Sequence, residues 1–126
     1  MNIFCVEQNY FVQKGEQIDF APVPVIFVKP PNALLPSGAS FSCPNFANVL
    51  YCGSELVLRI SKGGKDVNEA DAGKYYDSIT IGINFTAIDK LDALNGDASS
   101  WQKAKAWKNS SIAGEWIPAT NFKNKK

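Results

Sequence analysis

The chemistry that this sequence could support centres on one carboxylate, Glu55, in an apolar run at residues 51–60. The run alternates, and a period of two sends successive side chains to opposite faces of a β-strand. The sequence therefore predicts a central strand with two distinct faces. One face carries Gly53, Glu55, Val57 and Arg59, and the other carries Leu56, Leu58 and Ile60.

A second alternating run at residues 79–86 predicts a neighbouring strand. Its isoleucines and Phe85 are expected to face a core. The polar residues between them form a small-residue face of the kind that borders a cavity, and these are Thr80, Gly82, Asn84 and Thr86. A cavity beside Glu55 would make this polar face the place for a ligand.

Several classes of function are excluded by composition. The chain contains no histidine, which removes His-dependent triads, His-metal sites and imidazole acid/base catalysis. Its net charge of +1 argues against general binding to nucleic acid or to a membrane surface. Cys5, Cys43 and Cys52 are an odd number without a CxxC spacing, which favours reduced thiols. The first residues lack the pattern of a signal peptide or a membrane span, so we expect a cytoplasmic protein.

The length of 126 residues predicts a single domain, 1–126. Further strands are expected at residues 2–10, 25–28, 41–43 and 112–118, and a loop or short lid at 13–17. Helices are expected from Asn68 to about Ile79, at 87–94 and at 101–107. This mixture predicts an α+β fold.

Several segments, taken in order along the chain, resemble the fumarylacetoacetate hydrolase family in its short bacterial form. The segments that carry the resemblance are Asn9-Tyr10, Pro24 to Pro30 with Ala33 to Leu35, Glu55 to Ile60 with Gly64-Lys65, Tyr75 to Asp77, Gly82-Ile83 with Thr86-Ala87 and Asp89, Lys105, and Gly114 to Pro118. They span nearly the whole chain, and their order and spacing make the resemblance fairly specific.

The resemblance implies a mixed β-roll fold with short helices, matching the N-terminal part of the family fold. It also implies Mg²⁺ or Mn²⁺ held by three carboxylates, in enzymes that hydrolyse, decarboxylate or isomerise 2-oxo acid and acylpyruvate-like substrates. A Glu-x-Glu pair on a strand would project both carboxylates from one face, roughly 7 Å apart. Such hard oxygen ligands suit these ions.

Carried over residue by residue, the family's site is incomplete in this sequence. Glu55 matches the second glutamate of the pair, whereas the first falls on Gly53 and the strand aspartate falls on Asn84. The lid histidine falls on Gln13, leaving Glu16 without the imidazole it would orient. Lys105 is retained. Family members also continue for roughly a hundred more residues, so the chain resembles a C-terminally shortened member.

These departures lead to a non-catalytic, pseudoenzyme member of the family as the first hypothesis, either a binding or an interaction protein. One alternative is a Mg²⁺- or Mn²⁺-dependent hydrolase or decarboxylase of 2-oxo acids or acylpyruvates. It would use Glu16 and Lys105 in catalysis and Glu55 with Asn84 at the metal. Another is a protein that sequesters a small anion through Lys29, Arg59, Thr86 and Lys105.

For Glu55 itself, the alternative to a metal ligand is a charged side chain that lies beside Arg59 on a solvent-facing side of the strand. We expect no cofactor, and Mg²⁺ or Mn²⁺ only if the site is functional. The expected partners are a second copy of the chain, in a homodimer, and a small anionic ligand.

Overall fold

The computed structural model describes residues 1–7, 10–11, 19–20, 24–92 and 98–122. The strands are β1 (Ile3–Glu7), β2 (Tyr10–Phe11), β3 (Asp19–Phe20), β4 (Val25–Lys29), β5 (Leu50–Ile60), β6 (Tyr76–Ala87), β7 (Ser111–Ala113) and β8 (Ile117–Pro118). The helices are α1 (Glu69–Ala72), α2 (Ile88–Asp92) and α3 (Ala98–Lys105), with 3₁₀ turns at Pro31–Ala33 and Ala119–Asn121. This mixture of strands and short helices confirms the α+β prediction.

The main sheet is built on the long antiparallel pair β5 and β6. Their register places Gly53 opposite Asn84 and Glu55 opposite Gly82. Strands β7 and β8 both pair with β6 on its other side, so β5 forms the edge of this sheet in the described part of the chain. A separate hairpin pairs β1 with β4, and β2 pairs with β3.

The predicted strands at 25–28 and 51–60 are confirmed, as is a helix that begins near residue 87. The segment predicted as a short helix or bend at 101–107 overlaps α3, which begins earlier, at Ala98, and ends at Lys105. The helix predicted from Asn68 ends at Ala72, because Gly73 caps it and the chain enters β6 at Tyr76. No strand forms at 41–43. Phe41 instead stacks on Phe85, with ring centroids 4.1 Å apart. The predicted loop or lid at 13–17 lies outside the described residues.

The prediction that the isoleucines of β6 face a core is wrong within this chain. The polar face of β5 and β6 is the covered one, with Thr80, Asn84 and Thr86 buried. On the opposite face Leu56 is 68% exposed and Ile81 63% exposed. The reason is that Lys105 at the end of α3 lies between the hairpin and the polar face, contacting both.

Among the described residues, no helix has the length and apolar character needed to cross a membrane.

Candidate functional site

Glu55 and Asn84 meet on the covered face of the main sheet. Because Glu55 lies opposite Gly82, two residues from Asn84, the two polar side chains are diagonal neighbours. Asn84 Nδ2 donates a hydrogen bond of 3.4 Å to Glu55 Oε1. The reversed amide would place its oxygen against the carboxylate, so this contact determines the orientation of the amide. Asn84 Oδ1 is left buried and without a hydrogen-bond donor among the described residues.

This donor set does not fit a three-carboxylate metal site. Glu55 supplies one charge, Asn84 supplies a neutral amide oxygen, and Gly53 supplies no side chain. Mg²⁺ gives up its hydration water reluctantly, and a donor set with one charged oxygen offers such an ion little in exchange. Within the ranges that the structure describes, no group of three or more His, Cys, Asp or Glu residues could hold a metal ion.

Lys105 lies at the end of α3 and connects three elements. Its Nζ donates to Glu7 Oε2 of β1 at 2.9 Å and to Thr86 Oγ1 of β6 at 3.1 Å. The same ammonium lies 5.4 Å from the ring centroid of Phe27 and 5.3 Å from that of Trp101, within the range of cation–π attraction. The side chain is 5% exposed. An ammonium fixed in this way is positioned to bind a carboxylate, and in this structure Glu7 supplies that carboxylate.

Lys29, the last residue of β4, is 0% exposed. Its Nζ donates to Ser110 O at 2.9 Å and to Ser110 Oγ at 3.1 Å, while Ser110 Oγ donates to Lys105 O at 3.0 Å. Burial lowers the pKa of Lys29 to about 8, and Lys105 acts in the same direction. Cys5, Glu55 and Glu7 oppose this shift. Part of the Lys29 population is therefore neutral just above neutral pH.

Cys5 lies near these charged residues, and no pattern in the sequence indicated this position. It lies on β1 opposite Phe27 and is half-buried. Burial raises the pKa of its thiol, although Lys29 pulls in the other direction. Glu7 and Ser110 were missed as well. The alternation of β1 puts Glu7 on the same face as Cys5, which is a signal that could have found it, whereas Ser110 gives no such signal.

One predicted site residue, Arg59, is not brought into this cluster. Arg59 donates to Asp77 Oδ1 at 2.8 Å, lies 5.6 Å from the ring centroid of Trp116, and is 51% exposed. The hydrogen bond from Arg59 holds the pKa of Asp77 below its usual range. Arg59 therefore serves an exposed ion pair. Glu16 lies outside the described residues.

The covered polar face thus combines two cations, Lys29 and Lys105, with two carboxylates, Glu7 and Glu55, and an acceptor on Asn84 that has no donor within the described ranges. Glu7 and Glu55 are half-exposed and form the rim of the cluster, whereas the lysines lie beneath it. The charges and the acceptor of this arrangement match the chemistry of a small molecule that has a negative charge and a hydroxyl donor. We refer to these five residues as the polar cluster.

A family model described as the fumarylacetoacetate (FAA) hydrolase C-terminal domain matches residues 2–126. The mitochondrial oxaloacetate tautomerase FAHD1 of Bos taurus is 30% identical over 93% of this chain. The match covers 53% of the bovine protein, so this chain spans about half the length of that curated relative.

Solved structures share the fold. The structure of fumarylpyruvate hydrolase from Pseudomonas aeruginosa, in complex with Mn²⁺ and pyruvate, has a TM-score of 0.79 and 25% identity. It covers 99% of this chain, which in turn covers 56% of it. The 5-carboxymethyl-2-hydroxymuconate delta-isomerase from Mycobacterium smegmatis has a TM-score of 0.78 and 29% identity, with 92% of this chain and 45% of that protein covered.

Proposed function

The chain belongs to the fumarylacetoacetate hydrolase family, and we propose that it binds the enol form of a small 2-oxo acid and interconverts its keto and enol tautomers. The observation that carries the proposal is the buried Oδ1 of Asn84 beside Glu55, for which the described residues provide no hydrogen-bond donor. Among the relatives, one is an oxaloacetate tautomerase and one was solved with pyruvate, and both molecules are 2-oxo acids.

Recognition of the enol follows from hydrogen-bond chemistry. An amide oxygen only accepts hydrogen bonds, so Asn84 Oδ1 pairs with the hydroxyl of an enol and not with the oxygen of a ketone. The carboxylate of the ligand would take the place of Glu7 at Lys105, which already holds a carboxylate at 2.9 Å. A site with an unpaired buried acceptor discriminates strongly against a ligand that lacks the matching donor.

The proton transfer requires a base next to the reacting carbon and a positive charge next to the enolate oxygen. Glu55 is the carboxylate of the polar cluster that no lysine contacts in the described chain, and Asn84 Nδ2 orients it. Glu55 would take the proton from the carbon beside the carbonyl group, and the enolate oxygen would take a proton from the Lys29 ammonium to give the enol; in the reverse direction Lys29 regains its proton from the enol hydroxyl and Glu55 returns its proton to the carbon. The ammonium of Lys29 would stabilise the enolate, and its pKa of about 8 matches a proton that moves near neutral pH.

No step of this proposal passes through a metal ion, since the donor set does not fit one. The metal-dependent hydrolase or decarboxylase remains the competing enzyme hypothesis, with Glu16, Lys105, Glu55 and Asn84 as its residues. That activity would require a ligand from outside the described residues.

A second candidate is a non-catalytic protein that binds or sequesters an anion. The observation that favours it is the complete internal pairing of the two lysines, Lys105 with Glu7 and Thr86, and Lys29 with Ser110. Side chains paired in this way stabilise a fold and release their partners only to a ligand that binds more tightly.

The test is oxaloacetate tautomerisation, followed by the ultraviolet absorbance of the enol, with and without a chelator. We expect turnover that survives the chelator and that falls at least about 100-fold in Glu55→Gln, a typical loss for a general base. Glu69→Gln is the control, since Glu69 is an exposed carboxylate in α1 and should keep full activity.

Binding is measured in parallel by calorimetry with oxaloacetate. Glu7→Gln should bind more tightly, because the competing carboxylate is gone, and Lys105→Met should lose binding. Binding without turnover in any variant would favour the sequestering protein. Activity that vanishes with the chelator and returns with Mn²⁺ would favour the metal-dependent enzyme, and the absence of both binding and turnover would refute the proposal.

A further inference from the structure

Ser110, between α3 and β7, is completely buried and joins three elements at one point. Its carbonyl oxygen accepts two hydrogen bonds of 2.9 Å, one from Phe85 N in β6 and one from Lys29 Nζ at the end of β4. Its hydroxyl oxygen lies 3.1 Å from the same Nζ and 3.0 Å from Lys105 O at the end of α3. Both lysines of the polar cluster therefore contact this one residue.

The backbone around Ser110 is attached to the segment that carries Lys29. Asn109 has a φ of 63°, in the left-handed region that asparagine tolerates better than most residues. Its N–H donates to Asn32 O at 3.0 Å, in the turn that follows β4. The carbonyl oxygen of Ser110 is meanwhile bound to β6. Backbone contacts on two sides thus hold Ser110 next to Lys29.

The direction of the Ser110 hydroxyl proton follows from its two neighbours. A carbonyl oxygen only accepts hydrogen bonds, so Ser110 Oγ donates its proton to Lys105 O. A lysine ammonium only donates, so Ser110 Oγ accepts from Lys29 Nζ. Lys105 O keeps the hydroxyl proton when Lys29 becomes neutral. Ser110 is therefore an acceptor toward Lys29 in both protonation states.

This fixed polarity determines where Lys29 can exchange a proton. The two oxygens of Ser110 take up N–H groups on one side of Nζ, and they are the acceptors that Lys29 contacts within the described ranges. The ammonium has one further N–H, which faces away from Ser110. A neutral amine keeps two N–H groups and gains a lone pair in place of the third. With both N–H groups still bound to Ser110, that lone pair lies where the third N–H was.

We propose that Ser110 is the positioning residue of Lys29 in the tautomerisation, because it fixes the one N–H position that gives a proton to the enolate oxygen and regains it from the enol hydroxyl. This inference rests on the proposed function. In the forward step the enolate oxygen supplies the electron pair of the new O–H bond, and the pair of the broken N–H bond remains on Nζ. The side chain of Lys29 does not rotate between the two states.

A change at Ser110 alters the hydrogen bonding of Lys29 and leaves the charges around it in place. Burial lowers the pKa of Lys29, and the ionisable groups that act on it from neighbouring elements are Cys5 and Glu7 of β1, Glu55 of β5 and Lys105 of α3. None of these is removed in Ser110→Ala. A hydrogen bond to the charged form of a group favours that form, so loss of the hydroxyl acceptor should lower the pKa of Lys29 further.

The first measurement needs no substrate. Titration of the Lys29 ¹³Cε resonance by NMR, assigned by its absence from Lys29→Met, should give a pKa about one unit lower in Ser110→Ala than in the parent. Ser110→Cys is close to serine in shape and is a weak acceptor, so its pKa should fall in the same direction. It provides the same readout if Ser110→Ala does not fold.

The second measurement is the tautomerisation of oxaloacetate as a function of pH. Ser110 acts through Lys29 and does not touch the substrate, so Ser110→Ala should lower kcat roughly 10-fold and leave KM within about 2-fold. Lys29 must hold a proton in order to donate it, so kcat for enol formation declines as pH rises through the pKa of Lys29. Ser110→Ala should move this decline to lower pH by the same one unit or so that the NMR titration gives.

The matched control is Ser78→Ala. Ser78 is 5% exposed, and its hydroxyl donates to Asp77 Oδ1 at 2.8 Å near the start of β6. This variant loses a hydrogen bond of a buried serine away from the lysines, so the pKa of Lys29 and kcat should both remain at the parent values. An equal fall of kcat in both variants would show that Ser110 only stabilises the fold, and would overturn the inference.

Failure of this inference and failure of the proposed function give different results. A parent protein that binds or ignores oxaloacetate without turnover refutes the tautomerase, and the role of Ser110 in it falls as well. A parent protein with turnover, together with a Ser110→Ala variant that keeps both kcat and the pKa of Lys29, would overturn the role of Ser110 alone.

Discussion

Restoring two carboxylates should convert the polar cluster into a site for Mn²⁺. The double variant Gly53→Glu with Asn84→Asp would place three carboxylates on the covered face of β5 and β6. A Cβ atom at Gly53 would have Tyr51 Cε1 at 3.7 Å and Glu55 Oε1 at 3.8 Å as its nearest neighbours, which are ordinary contacts. Asn84→Asp keeps the shape of the side chain. Neither change needs the backbone to move.

The size of the effect follows from the charges. At an effective dielectric constant of about 20, a carboxylate about 4 Å from a divalent ion contributes roughly 8 kcal/mol of attraction, so two added carboxylates contribute roughly 16 kcal/mol. Most of this attraction is offset by dehydration of the ion and of the carboxylates. A net gain of about 3 kcal/mol for the pair of substitutions corresponds to an affinity that is roughly 100-fold higher.

Calorimetric titration with Mn²⁺ measures this gain, and thermal unfolding gives a second readout. Without metal the double variant should have a lower Tm than the parent, because the carboxylate that replaces the Asn84 amide would repel Glu55. Added Mn²⁺ should raise the Tm of the variant by mass action and leave that of the parent unchanged.

The control carries the same added charges elsewhere. Gly63→Glu with Asn121→Asp changes two exposed positions, and a Cβ atom at Gly63 would meet nothing within 4 Å. This variant should bind Mn²⁺ no better than the parent. Parent protein that binds Mn²⁺ as tightly as the double carboxylate variant would refute the argument that the donor set is too weakly charged.

Three further outcomes are expected. The pKa of Lys29 falls from 10.5 in the unfolded chain to about 8 in the folded protein, so the unfolded chain binds more protons between these two pH values. The free energy of unfolding, compared with that of Lys29→Met, should therefore rise by about 3 kcal/mol from pH 8 to pH 10.5. Denaturant titration at several pH values measures this rise. Gly82→Ala should cost about 1–3 kcal/mol in the same assay, because its Cβ would lie 2.7 Å from Ile112 O, whereas Gly53→Ala should be close to neutral. Labelling with a thiol reagent should show two fast cysteines and a slower Cys5, since burial raises the pKa of the Cys5 thiol.

The strands of the main sheet could be predicted because their evidence is local. Alternation over residues 51–60 and 79–86 identifies two strands without knowledge of the rest of the chain. The same alternation states which residues share a face, but not which face is covered. That depends on where α3 and the hairpin pack, and the large apolar residues of this sheet lie on the side that they do not reach.

The partners of the two lysines could not be predicted from spacing. Lys105 and Glu7 are 98 positions apart, and Lys29 and Ser110 are 81 apart. Pairs at such separations result from the packing of whole elements, which a pattern in the sequence does not encode. Glu55 and Asn84 were grouped by the family resemblance, whereas their contact depends on the register of β5 and β6.

Asn84 differs from the other buried polar residues of the covered face in its hydrogen bonding. Lys29, Lys105, Thr86 and Ser110 are all buried, and each has a hydrogen-bond partner that offsets the cost of removing it from water. The other buried side-chain acceptor without a partner in the described chain is Asp89 Oδ1, but that side chain is 22% exposed and its Oδ2 accepts a hydrogen bond from the backbone of Asn48.

In the part of the chain that the structure describes, Asn84 Oδ1 has neither compensation, and an unpaired buried acceptor costs about 1–3 kcal/mol. An apolar side chain at position 84, such as the isoleucine found at neighbouring positions of β6, would be buried there at less cost because it has no acceptor to leave unpaired. A ligand with a matching donor would remove this cost at Asn84, which lies next to a carboxylate that its own amide orients. Asn84 is therefore the residue through which binding and stability are expected to be coupled.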